Sequence, residues 1–291
     1  MILGALEAGG TKMVCAIGNE KGEIQEQISI PTETPEVTVP KLLEFFEGKG
    51  IEALGIGCFG PIDVNRDSKT YGYITTTPKL AWQNYDMVGA FKSKLDVPIG
   101  FDTDVNGSAL GEYTWGIAKG LHSCIYITIG TGVGVGVIVD GRLMHGMMHP
   151  EGGHVLLSRL PQDTYKGFCP FHTNCMEGLA AGPAIEGRWG KKAIELADRA
   201  EVWEMEAEYI AQALVDYTMT LSPQRIILGG GVMHQTQLLP LVREKYKALL
   251  NGYIKTKELE DLDSYIVVQS LDDKQGIMGA LKLGMMELER Q

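Results

Sequence analysis

The chain is short of positive charge: 26 Lys and Arg stand against 37 Asp and Glu, a formal charge of −11 over 291 residues. Nucleic acid and membrane surfaces are recognised through a basic footprint, so this balance argues against both as partners. An anionic ligand would have to be held by backbone amides or by a metal. Cysteine is scarce too. Five cysteines, an odd number unevenly spread, make no disulfide framework and fit a reducing cytoplasm. No basic stretch followed by an apolar run opens the chain, and Glu7 and Lys12 interrupt it early, so no signal peptide is read. Residues 120–139 carry no Asp, Glu, Lys or Arg and are about as long as a spanning helix. Glycines punctuate that stretch and its apolar residues alternate, so it reads as two strands joined by a glycine turn. No linker rich in Pro, Gly and Ser marks a domain boundary.

What the sequence has in excess is glycine, 37 of 291 residues, against roughly 7% in an ordinary soluble protein. With 44% hydrophobic and 22% charged residues the chain can bury a large core, and its length suits two domains. A repeated plan supports that number. Near the start, a strand Ile2 to Glu7, the turn Ala8-Gly9-Gly10-Thr11-Lys12, a strand Met13 to Ile17, a polar-glycine turn and a strand Glu23 to Ile30 follow one another. About 120 residues later come a strand Cys124 to Ile129, Gly130-Thr131-Gly132, a strand Val133 to Val139, Asp140-Gly141 and Arg142-Leu143-Met144. Two related α/β domains are therefore expected: residues 1–115, with a C-terminal helix over about 274–291 packing back on them, and residues 116–273, carrying a loop at 146–178. Helical spacing is read over Pro40 to Glu47, Asp104 to Lys119, Lys191 to Leu221, Leu238 to Leu250 and Lys274 to Glu289. Buried strands are read over Ile51 to Ile56, Pro98 to Phe101 and Arg225 to Leu228. The last helix carries Gly276, Gly279, Ala280 and Gly284, a face suited to close packing.

A turn of glycines followed by Thr and Lys can aim backbone N–H groups and a hydroxyl at a phosphate, because glycine lets the backbone approach closely. Two such turns could hold a triphosphate, although a glycine turn in a hairpin also serves structure alone. The glycine run from Gly130 to Gly136 is followed by a strand where a dinucleotide fingerprint needs a helix, and the Walker lysine pattern is absent. Asp104 lies past the carboxyl end of a strand and at the start of a helix, where ligands meet α/β sheets. It either caps that helix or acts as a base that takes the proton of an attacking hydroxyl. Asp102 competes for the second role.

His154, Cys169, His172 and Cys175 combine a Cys-x2-His-x2-Cys run with one upstream histidine. Two thiolates and two imidazoles suit tetrahedral Zn²⁺ and leave no open position, so the site would be structural; the alternative is four unconnected core residues. His149 could replace His154. Glu151 and Glu177 stand beside the cluster, either as surface carboxylates or as acceptors for the hydroxyls of a polyol. Cys15, Cys58 and Cys124 fall in apolar strands and read as core packing.

Glu7-Ala8-Gly9-Gly10-Thr11-Lys12, Asp102-Thr103-Asp104-Val105-Asn106, Ile129-Gly130-Thr131-Gly132-Val133-Gly134, Glu151-Gly152-Gly153-His154, the Cys/His cluster and Leu228-Gly229-Gly230-Gly231-Val232 follow one another in the order found in ROK-family sugar kinases. The chain resembles that family over nearly its whole length. Thr77-Pro78-Lys79 with Trp82, Cys169-Pro170-Phe171-His172 and Ala181-Gly182-Pro183-Ala184 bring it nearest to the bacterial fructokinases in it. The resemblance implies two actin-like ATPase (ribonuclease H-like) domains with a cleft between them, and ATP-dependent phosphorylation of a hexose, first of all D-fructose to D-fructose 6-phosphate. Glucose, mannose or N-acetylmannosamine are the alternative substrates, and a non-catalytic sugar-sensing zinc protein is the alternative function.

It further implies ATP contacts from Gly9, Gly10, Thr11, Lys12, Gly130, Thr131, Gly132, Gly182, Pro183, Leu228, Gly229, Gly230, Gly231 and Val232, with Asp104 as catalytic base. Sugar contacts would come from Thr103, Asp104, Glu151, His154 and Glu177, with Mg²⁺ on the ATP, His154 also on the structural Zn²⁺, and a cytoplasmic homodimer as the assembly. The family's repressors carry a DNA-binding region ahead of the kinase part, whereas this chain begins at the first phosphate turn, so no repressor role is expected. Two departures stand out: Glu7 where the family has Asp, which puts the metal position in question, and Thr103 where it has Asn, which removes an amide from one sugar hydroxyl. The metal loop also departs from the commoner Cys-x-Cys-Gly-x4-Cys form.

Overall fold

The computed structural model describes residues 1–290 and divides into two compact units: Met1–Gly120 with Arg142–Pro150 and the chain from Ser270 onward, and Leu121–Gly141 with Glu151–Gln269. The reading at 115/116 thus meets a boundary near residue 120. Residues 142–150, expected in the second unit, group with the first.

The first unit holds β1 (Leu3–Ala8), β2 (Lys12–Gly18), β3 (Ile24–Pro31), β4 (Ala53–Cys58), a small hairpin of β5 (Tyr73–Ile74) and β6 (Tyr85–Asp86), and β7 (Ile99–Thr103). Its main sheet has the order β3-β2-β1-β4-β7, with β1–β2 and β2–β3 antiparallel and β1–β4 and β4–β7 parallel. The remaining strands are β8 (Cys124–Ile129), β9 (Val133–Val139), β10 (Arg142–Leu143), β11 (Ile226–Gly229) and β12 (Ile266–Val268), in the order β10-β9-β8-β11-β12. Here β8–β9 is antiparallel while β8–β11 and β11–β12 are parallel. One strand order thus occurs twice, which is the two related α/β halves expected from the repeat. Residues 120–139 form β8, β9 and their turn, and no helix among the described residues is long and apolar enough to cross a membrane.

Both faces of the first sheet are covered, so its inner strands are apolar at consecutive positions. Leu6, Ala8, Met13, Cys15 and Ile17 join one core cluster, and Leu3, Ala5, Val14 and Ala16 join another with Ile277, Ala280 and Leu281. The helices here are α1 (Pro35–Phe46), α2 (Met87–Lys92) and α3 (Asp104–Thr114), with α10 (Gln275–Leu288) coming from the far end of the chain. Glycine is what admits α10: a Cβ on Gly55 would collide with the Ala280 carbonyl, and one on Gly279 with that of Gly107. The small-residue face read in the last helix is therefore a close backbone contact with β4 and α3.

The second unit adds α4 (Met176–Ala180), α5 (Gly182–Trp189), α6 (Ala200–Leu221), α7 (Leu238–Leu250), α8 (Lys257–Glu260) and α9 (Leu262–Tyr265). Its core runs from Ile125, Ile127 and Ile129 to Trp203, Tyr209 and Ile226. Three helix bounds differ from the spacing. The spacing starts a helix at Pro40, but α1 begins at Pro35, with Pro40 inside it. The second helix stops at Thr114 rather than Lys119, and the region from Lys191 becomes a short 3₁₀ turn over Ala193–Leu196 before α6. All five cysteines are free and buried, Cys15, Cys58 and Cys124 within strands.

Candidate functional site

In the first unit the turn Gly9 to Lys12 joins β1 and β2, closed by the Gly9 N–H donating to the Lys12 carbonyl at 3.1 Å. Thr32 braces it from behind: its hydroxyl donates to the Gly9 carbonyl at 2.8 Å and its N–H to the Thr11 carbonyl at 3.0 Å. Thr11 and Lys12 are exposed. Glu7, near the end of β1, is pushed up to about 7 by burial and then by the charges of Asp104 and Asp273, with Lys12 opposing. Such a carboxyl sits in an excess of negative field that a cation would relieve. Its extra methylene is accommodated because position 276 has no side chain: a Cβ there would lie 2.5 Å from Glu7 Oε1. The longer side chain of Glu7 therefore has room made for it by Gly276.

Asp104 is the first residue of α3, and burial raises it to about 6 while the Val105 N–H, donating to Oδ1 at 2.9 Å, works the other way. It does not cap the helix. Thr103 does, accepting from the Asn106 N–H at 3.1 Å, which leaves Asp104 Oδ2 without such a duty. Thr103 is 4% exposed, so the residue expected to touch sugar is committed to holding α3. Asp102 is consumed as well: Oδ1 accepts from the Thr103 N–H at 2.8 Å and from Asn106 Nδ2 at 2.7 Å, and Oδ2 lies 2.8 Å from His145 Nε2. Of the two rival aspartates, Asp104 has the geometry of a base. His145 was not read from the sequence, because nothing local marks a partner 43 residues from Asp102; its bond to Asp102 raises its pKa.

In the second unit, three glycine segments gather at the carboxyl ends of β8 and β11, the place where α/β sheets take ligands. The turn Gly130 to Gly132 is closed by the Gly130 N–H donating to the Gly132 carbonyl at 2.9 Å, and the Gly182 N–H, opening α5, donates to the Gly130 carbonyl at 2.8 Å. Gly230 has φ +86°, and a Cβ on it would lie 2.5 Å from the Ile129 carbonyl oxygen. Thr131 and Gly231 are exposed and Pro183 is half-buried. Leu228 and Val232 are core residues, 0% and 3% exposed, so only their backbone is available to a nucleotide.

The four cluster residues come together. One ligand atom from each of His154, Cys169, His172 and Cys175 lies within 4.8 Å of the others. Nδ1 of His154 is 3.8 Å from Cys169 Sγ and 3.6 Å from Cys175 Sγ, and Nδ1 of His172 is 3.6 Å from Cys169 Sγ. Tetrahedral Zn²⁺ with ordinary Zn–S and Zn–N bonds separates sulfur and nitrogen ligands by about 3.6 Å. Burial and neighbouring Cys169 raise the Cys175 thiol to about 11, a cost that a bound dication reverses by taking the thiolate. The donor set therefore fits Zn²⁺. His149 is not part of it: its Nε2 accepts the Ile62 N–H at 3.1 Å in the first unit, and burial lowers its pKa.

Cys175 caps α4, accepting from the Gly178 N–H at 3.3 Å, and so places Glu177 in the first turn. Glu177 Oε2 accepts the Val133 N–H at 3.1 Å, directly after the glycine turn, and its Oε1 lies 3.9 Å from Nε2 of His154. The histidine thus faces the cluster with Nδ1 and the Glu177 carboxylate with Nε2, the latter at 3.9 Å and beyond direct hydrogen-bond reach. Glu151 is exposed, at the start of the turn Gly152–His154. That turn lies so close on β9 that a Cβ on Gly153 would strike the Val133 carbonyl.

A family model described as the ROK family matches residues 3–286. The fructokinase of Pediococcus pentosaceus is 49% identical over 289 residues, covering 99% of each chain. That of Streptococcus mutans is 44% identical over 296 residues, covering 100% of this chain and 98% of the other. Among solved structures, a ROK hexokinase from Thermus thermophilus superposes with a TM-score of 0.81 at 25% identity over 100% of both chains.

Proposed function

The chain belongs to the ROK family, and on that premise we propose that it is an ATP-dependent fructokinase that transfers the terminal phosphoryl of ATP to the 6-hydroxyl of D-fructose. The observation that carries this reading is the full-length likeness to two proteins named fructokinase at 49% and 44% identity. The local geometry supports it with a carboxylate poised as a base and glycine turns whose amides can take phosphates.

Asp104 accepts the proton of the primary hydroxyl through Oδ2 as that oxygen attacks the γ-phosphorus in line, and ADP leaves. A carboxyl held near 6 is ionised at neutral pH yet basic enough to take that proton. Gly9 to Lys12 supply phosphate contacts, and Gly130 to Gly132, Gly182 and Gly229 to Gly231 supply phosphate and nucleotide contacts. Mg²⁺, when bound, would neutralise charge on the phosphates, with Glu7 as the residue that would hold its water. His154, Cys169, His172 and Cys175 would hold structural Zn²⁺ and order the loop that carries Glu177, which with Glu151 accepts hydrogen bonds from the sugar. Thr103 acts through α3 rather than by direct contact. Five buried thiols suit a reducing cytoplasm, and the family resemblance supports a homodimer, which light scattering would test.

The deciding experiment is a coupled assay of ADP release over fructose, glucose, mannose and N-acetylmannosamine. Fructose should give the highest kcat/KM. Preference for another hexose would move the substrate assignment, and sugar binding without sugar-dependent ADP release would replace the kinase with a sensor.

A further inference from the structure

Lys79 has no place in the machinery described so far, yet the fold brings it to the first phosphate turn. A Cβ built on Gly10 would lie 2.9 Å from Lys79 Cε and 3.8 Å from its Nζ. The position is held rigidly. Lys79 precedes a 3₁₀ turn, Leu80–Trp82, whose Trp82 is 1% exposed and packs edge-on against Phe59 and Tyr85. The Trp82 indole N–H donates to the Glu33 carbonyl at 2.8 Å, and Gln83 Nε2 donates to the carbonyl of buried Thr77 at 2.9 Å. Glu33 directly follows Thr32, the residue that braces Gly9 and Thr11 from behind. A continuous chain of contacts thus ties the turn to the backbone segment that carries the lysine.

The ammonium so positioned is half-buried and pairs with no carboxylate among the described residues. The side chain of Glu33 is engaged with Lys41 at 3.7 Å. A lysine carries three strong donors and a compact charge, and holding one over a glycine turn without a protein acceptor leaves an anion as the natural occupant of that space. Glycine at position 10 leaves room for the lysine stem, since a Cβ there would lie 2.9 Å from Lys79 Cε.

We propose that Lys79 is a phosphate-binding residue whose ammonium engages the terminal phosphoryl of the bound triphosphate above Gly9–Gly10 and stabilises the charge on it during transfer. This rests on the ATP reading of that turn. A preorganised donor aimed at developing charge is worth about 10²–10³ in kcat.

The test uses Lys79→Met and Lys79→Arg in the full chain, with thermal melting to verify folding. Lys79→Met should lower kcat by about 10²-fold or more and leave the KM for fructose within about threefold, and Lys79→Arg should recover part of the loss. A kcat within threefold of the parent, or a rise in fructose KM alone, overturns the proposal. Calorimetry with the β,γ-imido analogue of ATP and with ADP, each with Mg²⁺, separates this from the fate of the kinase reading. If the parent protein phosphorylates no hexose, a selective weakening of the analogue by at least tenfold in Lys79→Met still sustains the lysine's role. Equal or no weakening of the two nucleotides refutes it.

Discussion

The two glycine turns stand at the same point of one repeated topology, between the first two strands of each sheet, and differ in what surrounds them. Around Gly9 to Lys12 the neighbours are charged: Lys12 within the turn, Lys79 above it, and Glu7 with Asp104 and Asp273 at its base. Around Gly130 to Gly132 they are mostly backbone, the Gly182 amide and Gly230, with one carboxylate, Glu177, tied to the Val133 N–H. Equivalent hairpins can thus be specialised by their neighbours alone. On the proposed kinase reading, the charged first environment is the one suited to a moving phosphoryl and proton.

The sharpest way to break that division is Asp104→Asn, which keeps shape and removes basicity. About a 10³-fold loss in kcat is expected, with ATP affinity close to that of the parent by calorimetry. Near-normal turnover would take the chemistry away from the first unit. Next in size is Cys175→Ser, directed at the second. Four ligands around Zn²⁺ can contribute on the order of 10 kcal/mol to ordering a loop, so a three-ligand remnant should lose bound metal by elemental analysis and melt about 5–10 °C lower. Full zinc occupancy in the variant, or zinc well below one equivalent in the parent, would reject the four-ligand site.

Much of this contrast was legible in the sequence, and the reasons for the remainder are physical. The hairpins could be read because glycine-threonine turns interrupt apolar strands, and the cluster because Cys-x2-His-x2-Cys places three ligands in seven residues. Strand β12 is only Ile266–Val268, too short to show a period. The partners that give each turn its character were not visible. Lys79 reaches Gly10 across 69 residues, and Gly276 clears space for Glu7 from the far end of the chain. That Thr103 rather than Asp104 caps α3 is equally invisible, since both residue types cap well and only the helix start decides.

The same substitution made in each turn sharpens the comparison with a smaller effect. In Gly10→Ala the new Cβ meets the far end of a flexible lysine, 2.9 Å away, whereas in Gly132→Ala it meets Glu177 Oε2 at 2.7 Å. Neither glycine has a positive φ, so neighbours rather than backbone strain set the outcome. Gly10→Ala should displace Lys79 and lower kcat, by about tenfold where full loss of one such donor costs 10²-fold or more. Gly132→Ala should push Glu177 off the Val133 amide and raise the KM for fructose with kcat little changed, the pattern of lost uniform binding. Steady-state kinetics on the pair decides it: the same parameter moved in both variants would mean that the two turns are not specialised.

The mildest effect is that of pH. An ordinary aspartate titrates near 4, but burial holds the Asp104 carboxyl at about 6. The base works only when ionised, and its raised pKa keeps the proton on it to higher pH. Catalysis is therefore lost as pH falls: the Asp104 limb alone should lower kcat/KM for fructose about tenfold per unit below 6 and contribute no further change well above it. Glu7, raised to about 7, adds a second limb whose position depends on the cation beside it, because a bound cation favours its ionised form. Raising Mg²⁺ should move that limb to lower pH and leave the one near 6 in place. A single limb near 4 would mean that Asp104 is as well solvated as a surface carboxylate, and the first turn would then lack the buried base that distinguishes it from the second.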